Sequence, residues 1–182
     1  MLSSPFANIT VKIEKKLTFS LFYLLIISVI VLRYFNLTLE NEIAPYGIFS
    51  FELAGTLDKS VEIINSWSPL SKTFAGLSLG YDFLFLLIYT LFISLLIHKV
   101  NERLWVGKSF YKIGETLSWS MFITAIFDAI ENVSLIKLLI GSHEEYWSSF
   151  AYAFAIAKFV LISISILYLI YSTALLLFKK SS

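Results

Sequence analysis

Asp128, Glu131 and Asn132 stand three and four residues apart in Phe-Asp-Ala-Ile-Glu-Asn, so a helix sets all three on one side. Apolar residues flank them on both sides. Ionisable groups inside a membrane-spanning segment are costly, and they mark ligand sites, ion paths or proton relays. Two carboxyls one turn apart can divide the work of proton donor and acceptor when their surroundings differ. Asp82 adds a third carboxyl from another apolar stretch, and Arg33 and Lys158 supply basic partners. Glu52, in Phe-Glu-Leu-Ala-Gly, can reach the same level from a loop.

The elements that must carry these residues follow from composition. Of the 182 residues 58% are apolar and only 15% charged, against roughly 45–50% and about 25% in soluble domains. This balance predicts an all-α, multi-pass membrane protein, a single integral membrane domain over residues 1–182. A net charge of +1 gives no footprint for nucleic acid. The chain contains no cysteine, which excludes thiol redox chemistry, disulfides and thiolate metal sites.

Four spans are expected, at about 17–35, 74–98, 116–140 and 147–178. The first follows Lys12, Lys15 and Lys16, is longer than the apolar core of a signal peptide, and lacks an Ala-x-Ala cleavage site, so it reads as a retained span. In the second, the charge-free stretch from Phe83 to Ile97 is 15 residues, too short to cross alone, so Asp82 must lie within the span. The same length argument places Asp128 and Glu131 inside the third. Lys and Arg set the orientation: the N-terminal tail, the Lys99–Lys112 loop and Lys179–Lys180 carry nine of the 14. The opposite loops carry seven acids, so both termini are expected on the cytoplasmic side, in a bacterial inner membrane.

The outer loop, residues 36–72, is long. Thr56 is placed to cap a short interfacial helix with Leu57, Val61, Ile64 and Trp67 on one side, Trp67 at headgroup level, and Pro69 ending it. Gly76-x-x-x-Gly80 reads as a packing motif, and Ala151 and Ala155 share the Lys158 side of the last helix. Asn36-Leu-Thr38 matches the glycosylation pattern by chance, being too near the membrane. His98 and His143 fall at opposite membrane edges and cannot share a metal, and no cofactor is expected.

Depth can be counted from the basic or acidic residue at the inner edge of each helix, at about 1.5 Å per residue. Arg33, Asp82 and Glu131 then lie about 24–25 Å up, Asp128 one turn deeper at about 20 Å, and Lys158 at or below about 31 Å. These five groups from four helices form one band in the outer half of a hydrocarbon core about 30 Å thick. Two cations face three carboxylates, so one carboxyl is expected to keep a proton, Asp128 being the deepest.

Phe-Glu-Leu-Ala-Gly (51–55), Tyr-Asp-Phe-Leu-Phe (81–85), Asp-x-x-Glu-Asn (128–132) and Ala-Lys-Phe (157–159) resemble the motifs of small bacterial four-helix integral membrane proteins without an assigned activity. The likeness covers about residues 45–170. It implies the same four-span bundle and marks the same positions, and it adds no chemistry.

Three functions fit this pattern. The band can bind or process a lipid or other amphiphile, with Arg33 or Lys158 on an anionic headgroup. It can serve a small proton-coupled transporter, with Asp128 and Glu131 as relay. Alternatively the chain is a non-catalytic subunit or assembly factor, and the charges fix helix register at about 0.6–2 kcal/mol per contact. The partners these readings imply are membrane lipids, a second copy of the chain, or a larger membrane complex.

Overall fold

Ser68 and Pro69 open the helix on which the rest of the chain packs. The computed structural model describes residues 3–181, and within them six helices and no strand: α1 (Val11–Asn36), α2 (Ile48–Glu52), α3 (Leu57–Ser66), α4 (Pro69–Leu104), α5 (Phe110–Leu139) and α6 (Glu145–Ser181). The Lys179 and Lys180 side chains lie outside the described residues. At the start of α4 the Ser68 hydroxyl accepts from the Ser71 amide, and Pro69 takes the first turn, where no amide donor is needed. Pro69 therefore begins α4 instead of ending α3, which stops at Ser66.

α4 lies between α1 on one side and α5 and α6 on the other, and α5 packs against both α4 and α6. Three helices, α1, α4 and α6, are long and apolar enough to cross a membrane. α5 is 30 residues long and carries Asp128, Glu131 and Asn132 in its interior. Those residues point inward: Asp128, Glu131 and Asn132 are at most 2% exposed, while Trp119, Ile123, Ile126 and Val133 form its outer face.

All four long helices exceed their predicted spans, because helix propensity does not stop where hydropathy does. α4 continues through Lys99, Asn101 and Arg103 to Leu104, about 54 Å in all. Asn101 is buried there, donating to the Tyr111 carbonyl at 2.9 Å and accepting from the Tyr168 hydroxyl at 2.9 Å. Gly114 leaves the room for this: a Cβ at that position would overlap Asn101 and Tyr168. Higher up, the Ser94 and Ser118 hydroxyls meet at 2.7 Å, and the Thr90 hydroxyl donates to the Met121 carbonyl at 3.3 Å. A polar seam thus runs along α4 and α5 through an otherwise apolar bundle.

Gly76 and Gly80 are not a close-approach motif. An added Cβ at Gly80 meets nothing within 4 Å, and at Gly76 only Leu139 at 3.8 Å. Ala151 and Ala155 of α6 are fully packed.

The loop 36–68 folds over one end of the bundle. Asn36 ties it down, its amide donating to Glu40 at 2.9 Å and accepting from the Ile48 amide at 2.8 Å. Gly47 adopts φ +58°, and its missing side chain makes room for the Asn36 amide. Asn36 is buried with both amide atoms engaged. Thr56 caps α3 through the Lys59 amide as its sequence suggests. The buried residues of α3 are Ser60 and Ile63, with Leu57, Val61 and Ile64 only half-buried, because α3 lies on α5 and α6. The Ser60 and Ser148 hydroxyls join α3 to α6 at 3.0 Å. Trp67 faces inward: it is 4% exposed, packs edge-on against Phe51 and donates to the Leu39 carbonyl at 2.9 Å.

Candidate functional site: a charged pocket between α1 and α6

Lys158 is the centre of the site. A lysine at 6% exposure must find compensation, and α5 supplies it from one face. The Lys158 ammonium lies 2.7 Å from Asp128 Oδ1 and 2.8 Å from Glu131 Oε2, three residues along the same helix. Glu52 Oε2, at the end of α2, lies 3.8 Å from the same nitrogen. The loop thus brings a carboxyl down onto α6, and Gly55 just beyond turns the chain with φ +76°.

Two further contacts join α4 to α5. Tyr89 donates its hydroxyl to Asp128 Oδ2 at 2.8 Å, and Asn132 donates its amide to Asp82 Oδ2 at 2.6 Å. Tyr89 follows Asp82 by seven residues, two turns on the same face of α4, while Asn132 follows Asp128 by four. In antiparallel neighbours this spacing aligns both pairs. Tyr89 shares the Asp82 face of α4, but its role depends on which helix that face meets.

Asp128 therefore receives two donors, an ammonium and a phenol. Glu131 Oε1 is buried without any hydrogen-bond partner, and Glu52 Oε2 likewise has none. These buried oxygens are the acceptors of the cluster that still lack a donor. Asp128, which depth alone singles out, is the carboxyl of the group with the most donors.

Arg33 does not join the carboxyls of the band. Its guanidinium makes a two-pronged contact with Glu40 in the loop, through Nη1 to Oε1 and through Nη2 to Oε2 at 3.4 Å. Residues 37–39 form a turn that brings Glu40 back within reach, with the Leu39 amide donating to the Asn36 carbonyl at 2.9 Å. Glu40, outside the long helices, is held below the usual carboxylate range chiefly by the hydrogen bond from Arg33. A loop carboxylate that returns to the helix end leaves no pattern for a depth count to find.

These groups open on a cavity of about 610 Å³. Its walls are apolar: Leu25, Val29 and Leu32 from α1, Leu79, Phe85 and Ile93 from α4, Phe159 and Ile162 from α6. Its polar floor holds Asp82, Tyr89, Asp128 and Lys158, Glu52 overhangs it, and Arg33 and Glu40 lie at its rim with Tyr46 and Phe49. The cavity occupies the gap left because α1 packs on α4 and not side by side with α6. Glu131 is behind it, fully buried. Among the described residues no group of three or more His, Asp or Glu side chains is placed to hold a metal ion. Comparison with known proteins finds no matching family model, no matching curated protein and no matching solved structure.

Proposed function

We propose that the chain is a four-span protein of a bacterial inner membrane, related to the small four-helix membrane proteins its motifs resemble, that binds or processes a lipid or other amphiphile. The observation that carries this reading is the cavity between α1 and α6, with apolar side walls and an ionisable floor. An amphiphile has the same two parts, and ligand pockets commonly combine apolar walls with a few convergent polar groups. α5 supports the fourth span, since its polar residues are turned inward and its outward face is apolar. Between Leu21 and Leu32 the exposed side chains of α1 are equally apolar, Val29 and Ile30 among them, as contact with acyl chains requires.

Entry is sideways. Val29 lines the cavity and is 50% exposed, so the pocket opens through the flank of the bundle, where lipid chains would stand. At one end the pocket is bounded by α2 and the turn before it, through Tyr46, Ile48, Phe49 and Glu52.

Filling the gap tests the reading. Ile162→Trp places a large ring in the cavity mouth without touching the ion pairs. Native mass spectrometry of the purified protein should show a bound amphiphile on the original chain and its loss in the variant. Equal retention by both, or no bound or bindable amphiphile on either, would defeat the proposal.

A further inference from the structure

We infer that the polar end of the occupant is a cation, such as a protonated amine, and that Asp82 is the group that receives it. The inference rests on the amphiphile-pocket reading and names the chemical class of its ligand. Both basic residues on the cavity wall are already engaged: Lys158 with Asp128, Glu131 and Glu52, and Arg33 with Glu40. A phosphate or carboxylate headgroup would have to take one of these cations from its buried or chelated partner. That cost falls on an anion alone, so the pocket selects against it.

Asp82 is in the opposite condition. Its carboxyl lines the cavity and accepts one protein hydrogen bond, from Asn132, and among the described residues no lysine or arginine lies within ion-pair distance of it. Glu52 lines the same cavity at 7% exposure, and its Oε2, 3.8 Å from the shared Lys158 ammonium, still has no hydrogen-bond donor. In all, four carboxyls and two cations line the cavity. An ammonium on an alkyl chain supplies the missing charge and the missing donors together. Aromatic side chains on the wall, Phe85 and Phe159, are suited to the same cation, and Lys158 Nζ already stands 5.1 Å from the Phe159 ring centroid.

Three probes with one tail separate the possibilities: octylammonium, octanol and octanoate, titrated calorimetrically at pH 7 into the full chain in nanodiscs, with empty discs subtracted. Octylammonium should bind about tenfold more tightly than octanol, with octanoate weakest, the size expected for one charge-assisted contact. Asp82→Asn keeps an acceptor for Asn132 and should bring octylammonium down to the octanol affinity while leaving octanol unchanged. Octanoate equal to or tighter than octylammonium, or an Asp82→Asn chain that keeps its preference for the amine, overturns the inference and leaves the pocket standing. Failure of all three probes to bind removes the pocket with it. The ranking on the unaltered chain decides the matter even where the substitution prevents folding.

Discussion

Asn132 donates its side-chain amide to Asp82 at 2.6 Å, one helical turn from the Asp128 that holds Lys158. The two acids thus have different neighbours: Asp128 is compensated by the protein, and Asp82 is left to face the cavity. That division separates a structural half of the site, made by α5 and α6, from a receptive half on α4.

The structural half predicts an order of losses. Asp128→Asn removes the carboxylate that receives both Lys158 and Tyr89, and should cost about 3 kcal/mol, as breaking a buried ion pair does. Glu131→Gln replaces a carboxyl with an unbonded oxygen by a neutral group of the same shape, and should cost below about 1 kcal/mol. Unfolding of each variant in denaturing detergent at pH 7 measures both. The reverse order would mean that Glu131, and not Asp128, is the ionised partner of Lys158.

Much of the site was readable because a helix has a fixed rise. Counting along each helix puts Lys158 in the same outer band as Asp128 and Glu131 without any knowledge of packing. Glu52 was within reach by the same reasoning. Rotation about a helix axis and the path of a loop are tertiary matters, and they account for what the count missed. Arg33 is at the expected height, yet the 37–39 turn gives it Glu40 first. Trp67 has the composition of an interfacial anchor, yet the cap needs a large ring against Phe51. The spacing of Gly76 and Gly80 is that of a tight helix crossing, but neighbouring helices do not approach them. The cavity was not legible at all, since it arises where α1 and α6 fail to meet.

The cap depends on a backbone conformation that glycine alone adopts easily. Gly47→Ala meets both a φ of +58° and the Asn36 amide, so it should destabilise the protein by roughly 1–3 kcal/mol from strain, with the clash added. Gly80→Ala, in open space within α4, should instead be neutral or stabilising by up to about 1 kcal/mol. Thermal unfolding of the two variants side by side provides the comparison. A Gly47→Ala chain as stable as the original would mean that the loop does not need Asn36 as its anchor.

Acid should loosen the same loop. The Arg33 hydrogen bond holds Glu40 below its ordinary 4.5, so the pair's contribution is complete above that value and fades as pH falls through the lowered one. Pepsin cleavage within residues 37–47 should therefore rise as pH is lowered from about 4.5, in a range set by the lowered value. Glu40→Gln should cleave readily throughout the range, with a flatter pH dependence. Both groups are solvent-accessible, so salt should weaken the effect. A pH profile identical in the two chains would exclude the Arg33–Glu40 pair as its cause.

The number of spans can be tested directly, because the chain has no native cysteine to remove. Single cysteines at Ser3, Asn65, Lys108 and Glu144 sample the segment before α1, the last turn of α3, and the segments between α4 and α5 and between α5 and α6. With α5 across the membrane, an impermeant maleimide added to intact cells should label Asn65→Cys and Glu144→Cys. Ser3→Cys and Lys108→Cys should react only after the membrane is opened, matching the excess of Lys and Arg around them. If only α1, α4 and α6 cross, positions 108 and 144 must share a side, and their labelling would be alike. That result would place the outward face of α5 outside lipid, leave Ile123, Ile126 and Val133 without an apolar environment, and remove the bilayer-facing entrance from which an amphiphile is supposed to arrive.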